Sequence, residues 1–382
     1  MSKWAGKYVI GLTGNIGTGK SVIRRMLEHM GAQGIDADAL GHRAIARGAP
    51  GYQPVVDMFG RWIVGPDGEI NRARLGKVVF SDREALALLE GIVHPLVTQA
   101  LDWMVQRSTH PVVVIEAIKL LEANLHKQCD SVWVVYAPPE VQMARLMQKR
   151  KMSEADARQR IAAQPPQEQK MQAANVVIKN NTTFEDAWRQ VTGAWTKFVP
   201  VSIEASPTTP VRPAAAAGSL ANLSVVRGKP RDSEIIAALI NRVKKPLPAL
   251  TKNDIMADFG EKAFLLVKAG EQMVGVAGWQ VENLVARTTE IVIDPSAPAA
   301  QVLPILVTEM ERSSKDLQCE AALVFTSPDQ SVDSVWQSLG YERRTPQSLG
   351  VAVWQEAAQE TLKPGQVLFF KQLRQDRVLR PI

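Results

Sequence analysis

Cysteine, aromatic residues and long apolar runs are all scarce in this chain of 382 residues. Its two cysteines, Cys129 and Cys319, lie far apart in the sequence, which argues against a disulfide framework and favours a reducing cytoplasm. No apolar run approaches the roughly 20 residues of a membrane span, and the sequence near Met1 lacks the apolar core of a signal peptide. Aromatic residues make up only 6% and do not interleave with a run of Lys and Arg. We therefore expect neither a membrane nor a nucleic-acid partner.

The formal charge of +6 is unevenly distributed along the chain. Residues 1–200 contain 25 Lys and Arg against 19 Asp and Glu, whereas residues 201–382 contain 20 of each, so the whole excess lies in the first half. A basic half suits a polyphosphate ligand. The length, together with a hydrophobic content of 46%, predicts two or three domains, and the oligomeric state stays open.

Apolar segments with strand character alternate with segments of helical spacing in the first half. The strand-like segments are 8–13, 32–36, 111–116, 131–137 and 175–178. This alternation is typical of a parallel sheet covered by helices, and it predicts an α/β domain over residues 1–200. Residues 201–222 are rich in Pro and Ala with almost no charge, which indicates a linker, and 223–382 form a second unit.

A glycine-rich loop follows the first predicted strand and matches the P-loop pattern G-x-x-x-x-G-K-S. Glycines let successive backbone N–H groups point at phosphate oxygens, and the helix that follows adds its partial positive charge. In this pattern Lys20 reaches the β- and γ-phosphates of ATP, and the Ser21 hydroxyl binds Mg²⁺. The predicted nucleotide-binding residues are Gly14, Asn15, Gly17, Thr18, Gly19, Lys20, Ser21 and Val22.

Two aspartates follow the second predicted strand, in the stretch GIDADALGHRA at 34–44. Asp36 and Asp38 are two positions apart, so in an extended chain they would point to one side, near the mouth of the P-loop. One carboxylate there could accept the proton of an attacking hydroxyl while the other helps to hold Mg²⁺. The alternative is that Asp38 only caps a helix that begins at Ala39.

A series of short motifs resembles the dephospho-CoA kinase family over residues 5–200. In order they are GLTGNIGTGKS, IDAD at 35–38, GAPG at 48–51, FG at 59–60, INRARL at 70–75, VHPLV at 93–97 and NN at 180–181. The resemblance implies an adenylate-kinase-like P-loop fold that transfers the γ-phosphate of ATP to the 3′-hydroxyl of dephospho-CoA, with Mg²⁺. It also implies that Asp38 is the catalytic base.

Three further residues are expected near the acceptor on the strength of this resemblance. His94 matches a family position close to the acceptor, and Arg72 and Arg74 match a basic element that could face its pyrophosphate. The alternatives are a histidine that ends a helix before Pro95 and a solvated helix face for the two arginines.

Residues 140–164 carry six basic side chains on two helical segments that are interrupted near Met152. Ser153 and Asp156 resemble a capping box that starts the second segment. Two helices with a basic joint fit a lid that closes over ATP and excludes water, and Arg150 is the residue expected to reach the transferring phosphoryl group. The alternative is a solvated basic helix.

The chain departs from the family pattern at positions that bear on the acceptor pocket. After the third strand it has Lys119 and no proline, and beyond the lid it has Gln167, Lys170 and Asn175 where other residues are usual. These changes leave the phosphate and base positions intact. They put the detailed shape of the acceptor pocket in question.

Two other kinds of nucleotide-binding protein compete with this interpretation. A regulatory GTPase is suggested by DALG at 38–41 and TKND at 251–254, but the first opens a helix and the second lies in the other domain. A small-molecule kinase with a nucleoside or nucleotide acceptor is a stronger competitor, because the P-loop and lid would serve either acceptor.

The order of predicted elements in residues 223–345 resembles the GNAT acetyltransferases, which implies an α+β domain. Active members have a glycine-rich turn after the fourth strand, where backbone amides approach the pyrophosphate of CoA. This chain has SAPAAQVLP at 296–304, with no glycine and with Pro298 and Pro304, each of which lacks an N–H. We expect a folded binding or assembly module without acetyltransferase activity. An active acetyltransferase and an unrelated α/β unit are the alternatives.

Overall fold

The computed structural model describes residues 3–79, 81–200, 223–328 and 330–375. The predicted linker at 201–222 lies outside the described residues. Within the described ranges, no helix combines the length and the apolar character that crossing a membrane requires.

The first half is built on a parallel sheet of five strands. These are β1 (Tyr8–Thr13), β2 (Gln33–Asp36), β3 (Val112–Glu116), β4 (Ser131–Tyr136) and β5 (Val176–Lys179). Their order across the sheet is β2-β3-β1-β4-β5, and every pairing is parallel. β3 is buried along its whole length, as expected for a strand covered on both faces. The five strands predicted from the sequence are thus confirmed, and each of their ends lies within one residue of the predicted position.

Nine helices surround this sheet in the described part of residues 3–200. They are α1 (Lys20–His29), α2 (Ala37–Ala44), α3 (Tyr52–Phe59), α4 (Arg72–Val79), α5 (Arg83–Gln106), α6 (Pro139–Arg150), α7 (Glu154–Ala162), α8 (Gln167–Gln172) and α9 (Phe184–Phe198). α5 continues through Pro95 to Gln106, so the alternative that His94 ends a helix is wrong. The apolar side chains of Leu101, Met104 and Val105 pack against the sheet and hold this helix in place despite Pro95.

The predicted lid consists of α6 and α7, separated at residues 151–153. Ser153 is the N-cap of α7, and its hydroxyl accepts a hydrogen bond from the Asp156 amide at 3.1 Å. Lys151, in the left-handed conformation with φ 54°, ends α6. The break near Met152 and the restart at Ser153 are therefore confirmed.

The second half contains a mixed sheet of seven strands. They are β6 (Leu223–Arg227), β7 (Ala263–Ala269), β8 (Gln272–Glu282), β9 (Val285–Ile293), β10 (Ala321–Thr326), β11 (Glu342–Arg344) and β12 (Val367–Gln372). The order is β11-β12-β10-β9-β8-β7-β6, and only the β9–β10 pairing among these strands is parallel. The helices are α10 (Ser233–Lys244), α11 (Lys252–Asp258), α12 (Ala299–Asp316), α13 (Gln330–Ser338) and α14 (Ala352–Thr361). This is the α+β arrangement that the resemblance to GNAT proteins implies.

The two GTPase-like letter matches have ordinary structural explanations. Thr251 and Asp254 form a reciprocal capping box at the start of α11, with the Thr251 hydroxyl 2.7 Å from the Asp254 carboxylate. Asp38 and Gly41 lie within α2. The side chains of TKND therefore satisfy one another at a helix end and form no base-recognition loop at the P-loop.

Candidate active site

The loop between β1 and α1 leaves the N-terminus of α1 open to an anion. Gly19, the residue before the helix, has φ +89°, and a Cβ placed on it would lie 2.2 Å from Asn180 Nδ2, so only glycine fits without rearrangement. No side chain caps the helix, and its first turn has no acidic residue. The first N–H groups of an α-helix lack intrahelical partners, so this end offers donors and positive charge.

The carbonyl groups of the P-loop are held from outside by residues on the lid side and after β5. Arg145 on α6 donates to the Thr18 carbonyl at 3.0 Å and to the Asn180 carbonyl at 2.9 Å. Asn180 Nδ2 donates to the same Thr18 carbonyl at 2.8 Å. With carbonyl groups tied outward, the loop is fixed in a shape that turns amides inward. Asn180 belongs to the NN motif and Arg145 to the basic segment at 140–164, but the sequence did not show that they hold this loop in place.

Lys20 lies in the middle of an acidic site. Its side chain is buried, and its ammonium is 3.4 Å from the Asn15 carbonyl oxygen. Burial lowers the pKa of Lys20, while the nearby carboxylates of Glu116, Asp38 and Asp36 act to raise it. The predicted P-loop lysine and the predicted aspartates are thus close enough to interact electrostatically.

The two aspartates have different surroundings, and the expected geometry of this pair is wrong in two respects. Asp36 ends β2 and is itself the N-cap of α2, since its Oδ1 accepts from the Ala39 amide at 2.9 Å. The helix begins at Ala37 and not at Ala39, so Asp38 lies in its first turn, not in extended chain. Asp38 Oδ2 instead accepts from the Ile118 amide at 3.0 Å. The capping role considered for Asp38 therefore belongs to Asp36.

Glu116, at the end of β3, is a site residue that the sequence analysis did not single out. It is the register partner of Asp36 on the neighbouring strand, and its Oε2 accepts from Arg24 Nε at 2.8 Å. Burial, followed by the charge of Glu116, raises the pKa of Asp36 to about 6. The available signal was a lone carboxylate at the carboxyl end of a fully apolar strand, where α/β sheets bind ligands.

Lys170 is a second such residue, noted from the sequence only as a departure from the family pattern. Its side chain is 2% exposed, and its ammonium donates to the Ile118 carbonyl at 2.5 Å. The amide of the same Ile118 binds Asp38. Burial raises the pKa of Asp38, whereas Lys20, the Ile118 amide and Lys170 lower it. Lys170 therefore places a buried positive charge beside the predicted base.

In the part of the chain that the structure describes, no hydrogen bond or ion pair joins Arg72, Arg74, His94 or Arg150 to the P-loop. Arg150 is exposed at the last position of α6, and among the described residues no hydrogen bond or ion pair involves its guanidinium. Arg72 pairs with Glu356 of the second half at 3.3 Å, and Arg74 donates to the Trp62 carbonyl at 2.9 Å. His94 is exposed on α5. Their roles toward the acceptor remain predictions.

The side chains of the remaining departures from the family pattern contact groups other than Asp38. Gln167 donates to the Ala137 carbonyl at 3.0 Å, and the Asn175 carboxamide oxygen accepts from the Val132 amide at 2.7 Å. The Lys119 ammonium pairs with Glu90 at 2.6 Å on the surface. Of the four departures, Lys170 alone is placed to influence Asp38 directly.

A five-stranded parallel sheet with a P-loop at its centre, the helix pair α6 and α7 after β4, and carboxylates at the ends of β2 and β3 defines a phosphotransferase of the P-loop class. The sequence profile described as "Dephospho-CoA kinase" matches residues 8–186. The dephospho-CoA kinase of Geobacter sulfurreducens is 41% identical over 195 residues, which cover 50% of this chain and 99% of the relative. That of Streptomyces avermitilis is 41% identical over 191 residues, covering 50% and 93%. The chain belongs to the dephospho-CoA kinase family through its N-terminal half.

Solved structures resemble both halves of the chain. Dephospho-CoA kinase from Campylobacter jejuni covers 50% of this chain and 96% of its own, with 26% identity and a TM-score of 0.38. Over the C-terminal part, the ribosomal-protein-S18-alanine N-acetyltransferase from Escherichia coli covers 41% of this chain and 97% of its own, with 11% identity and a TM-score of 0.33. The two likenesses are therefore to proteins of different kinds.

Proposed function

We propose that the domain at residues 1–200 transfers the γ-phosphate of ATP to the 3′-hydroxyl of dephospho-CoA, giving coenzyme A and ADP. The observation that carries the proposal is that Lys20, at the start of α1, and Asp38, in the first turn of α2, are close enough to interact electrostatically in a chain of this family. A kinase acting on a nucleoside or nucleotide is the alternative.

The reaction needs a group that removes one proton and a site that stabilises the transferring charge. Asp38 accepts the proton of the acceptor hydroxyl as its oxygen attacks the γ-phosphorus, and the bond from phosphorus to the β-phosphate oxygen breaks. Lys20 and the amides at the start of α1 stabilise the negative charge on the phosphate oxygens. Asp38 is held for this task by its hydrogen bond to Ile118.

The site fits a magnesium ion that arrives with the nucleotide. Ser21 follows Lys20 in α1, and its hydroxyl would bind the ion, while the neighbouring carboxylates of Asp36 and Glu116 would supply oxygen ligands of the kind that Mg²⁺ prefers. Among the described residues no cluster of three or more His, Cys, Asp or Glu could hold a metal by itself. An ion bound chiefly by phosphates and one hydroxyl agrees with this donor set, and it would neutralise charge on the β- and γ-phosphates.

Mass spectrometry of a reaction containing Mg-ATP and dephospho-CoA tests the proposal. The expected product is dephospho-CoA with one added phosphate at the 3′-position. Adenosine and AMP, offered separately, test the alternative kinase. Turnover with either of these, and none with dephospho-CoA, would replace the proposed acceptor.

Replacing Lys170 should change the pH dependence of the reaction. Because the charge of Lys170 lowers the pKa of Asp38, Lys170→Met is expected to raise that pKa and to move the acidic limb of the kcat/KM profile to higher pH. Below the new pKa a larger share of Asp38 is protonated and cannot accept a proton, so activity is lost first on the acidic side. The measurement is kcat/KM for dephospho-CoA as a function of pH.

Two variants control this experiment. Lys170→Arg keeps the charge and is expected to keep the acidic limb near its original position. Lys119→Met removes the neighbouring lysine that pairs with Glu90 on the surface, so its profile should match that of the parent. An unshifted limb in Lys170→Met would show that Lys170 does not act on Asp38.

We further propose that the domain at 223–382 does not transfer acetyl groups. The turn before α12 is occupied by its own contacts, because Asp294 accepts from the Ser296 amide at 2.9 Å and forms an ion pair with Arg242. Pro298 is the N-cap of α12. Pro304 was expected in the turn, but it lies inside the helix. A carboxylate and a proline at this position are unfavourable for a pyrophosphate that needs free backbone amides.

The full chain should therefore release no CoA thiol from acetyl-CoA in the presence of a lysine-containing peptide. Free thiol is followed with a colorimetric reagent, and the Lys20→Ala variant serves as a control in which the kinase site is disabled. Saturable, peptide-dependent thiol release that persists in Lys20→Ala would contradict the proposal.

Both cysteines fit the proposed cytoplasmic location. Burial raises the pKa of Cys129 to about 12 and raises that of the fully buried Cys319 as well, so neither thiol is poised to ionise near neutral pH. Both are free, and they lie in different halves of the chain. Their surroundings support a packing role.

A further inference from the structure

The helices that carry the proposed phosphate and base residues are both held by the C-terminal domain at their opposite ends. Helix α1 begins with Lys20, and α2 carries Asp38 in its first turn. Side chains near the C-terminal ends of the two helices donate hydrogen bonds to main-chain carbonyls of the second half. The C-terminal domain is thus in contact with two elements of the kinase site.

Helix α1 is anchored by Arg25 and His29. Arg25 Nη1 donates to the Gly260 carbonyl at 2.9 Å, and His29 Nε2 lies 2.9 Å from the Phe259 carbonyl oxygen. Burial, followed by the charge of Arg227, lowers the pKa of His29 to about 3, so the ring is neutral and Nε2 carries the proton that it donates. The imidazole also packs edge-to-face on the Phe259 ring at 5.2 Å.

Helix α2 is anchored by Arg43 in its last turn. Arg43 forms an ion pair with Glu320, directly before β10, and donates to the Asn283 carbonyl at 2.6 Å. The Glu320 side chain is 0% exposed and that of Arg43 is 10% exposed. A carboxylate removed from water to this extent depends on its partner. Loss of either partner of this ion pair is therefore expected to cost more free energy than loss of a partner in a solvated surface pair.

The hairpin between β8 and β9 is shaped around the same contact. Asn283 with φ 51° and Leu284 with φ 59° both adopt the left-handed region, where leucine is rare and glycine is usual. The Leu284 side chain is buried in the same apolar cluster as Leu40 and Ala44 of α2. A strained backbone conformation of this kind persists only where contacts with the surrounding residues hold it. The hairpin tip is accordingly held in place by the kinase domain.

We propose that Arg43 is a positioning residue for the kinase reaction, through which Glu320 and the 283–284 hairpin tip fix the place of Asp38. This inference rests on the proposed role of Asp38 as base. Asp38 and Arg43 lie on one helix of eight residues, about 7.5 Å apart along its axis, so a shift at one end moves the other. The C-terminal domain is on this account part of the acceptor side of the active site.

The inference predicts a loss that affects the acceptor and spares the nucleotide. A misplacement of about 1 Å can lower a rate by about 10²-fold, so loosening α2 should lower turnover of the acceptor that meets Asp38. ATP binds to the loop before α1, which keeps its separate anchors at Arg25 and His29.

The test measures kcat and KM for both substrates in full-length Glu320→Gln and Arg43→Gln. We expect kcat/KM for dephospho-CoA to fall by about 10- to 100-fold while KM for ATP stays within about twofold. Arg43→Lys keeps the charge without the planar fork, so its loss should be smaller, about three- to tenfold. The matched control is Glu342→Gln, which removes an exposed carboxylate paired with Arg344 within the C-terminal domain and should change neither value by more than about twofold.

Turnover of the unmutated chain and its loss in Asp38→Asn are measured first, so a failure of the proposed function is recognised separately. Acceptor kinetics within about twofold of the parent in folded Glu320→Gln and Arg43→Gln would overturn the inference. A rise of more than about tenfold in KM for ATP would overturn it as well, because the nucleotide loop would then be disturbed together with the acceptor side. If the glutamine variants do not fold, unchanged acceptor kinetics in Arg43→Lys decides against the inference.

Discussion

Lys20→Ala is expected to abolish phosphoryl transfer while the protein stays folded. Lys20 is the one lysine of the P-loop, and the charge it would place on the β- and γ-phosphates cannot be replaced by the neighbouring amides. Losing such a group is expected to lower kcat by about 10³-fold or more. ATP affinity should fall by about 10- to 100-fold, the effect of losing a charge-assisted hydrogen bond.

Rapid-quench kinetics and calorimetric titration with Mg-ATP measure these two losses. Lys197→Ala, which removes an exposed lysine from α9, is the matched control and should behave like the parent. Lys20 lies among Glu116, Asp38 and Asp36, so its removal increases the repulsion between these three carboxylates. Circular dichroism therefore checks that the variant is folded. Near-normal turnover in a folded Lys20→Ala protein would end the P-loop interpretation.

Asp38→Asn is expected to separate nucleotide binding from chemistry. The carboxamide oxygen of asparagine can still accept the hydrogen bond from the Ile118 amide, so the local structure should remain. It cannot take the proton of the acceptor, and kcat should fall by about 10²- to 10⁴-fold, the contribution of a general base. ATP affinity, measured by the same titration, should be unchanged.

The control for this substitution is Asp57→Asn on the surface of α3, which removes a carboxylate that accepts only from Gln53 among the described residues. Full activity is expected there. Because Asp36 and not Asp38 caps α2, an effect of Asp38→Asn cannot be assigned to a lost cap. Full activity in Asp38→Asn would make Asp38 a structural residue and would remove the proposed base.

Local features of the chain were predictable because their causes lie within a few residues. The five parallel strands follow from apolar segments separated by helical spacing, and the lid joint follows from Ser153, whose hydroxyl caps α7. The P-loop follows from glycines at the positions where the backbone needs φ > 0, such as Gly19. Each of these signals acts between residues close in sequence.

The same local signals failed where distant residues decide the outcome. Pro95 is a helix-ending signal, yet packing of α5 against the sheet carries the helix through it. There the neighbours in space, and not the local signal, determine what the residue does.

The sequence by itself determined the family, the phosphate loop and the presence of two carboxylates after β2. Only the tertiary structure separated these carboxylates, because pairing of β2 with β3 brings Asp36 beside Glu116 and leaves Asp38 to bind Ile118. It also brought Lys170 to the base, and Glu320 to Arg43 across 277 positions of sequence. Contacts of this range depend on how strands are ordered and domains are docked, and burial gives them their strength. A pattern of residue spacings along the sequence shows neither the docking of strands and domains nor the burial of a contact.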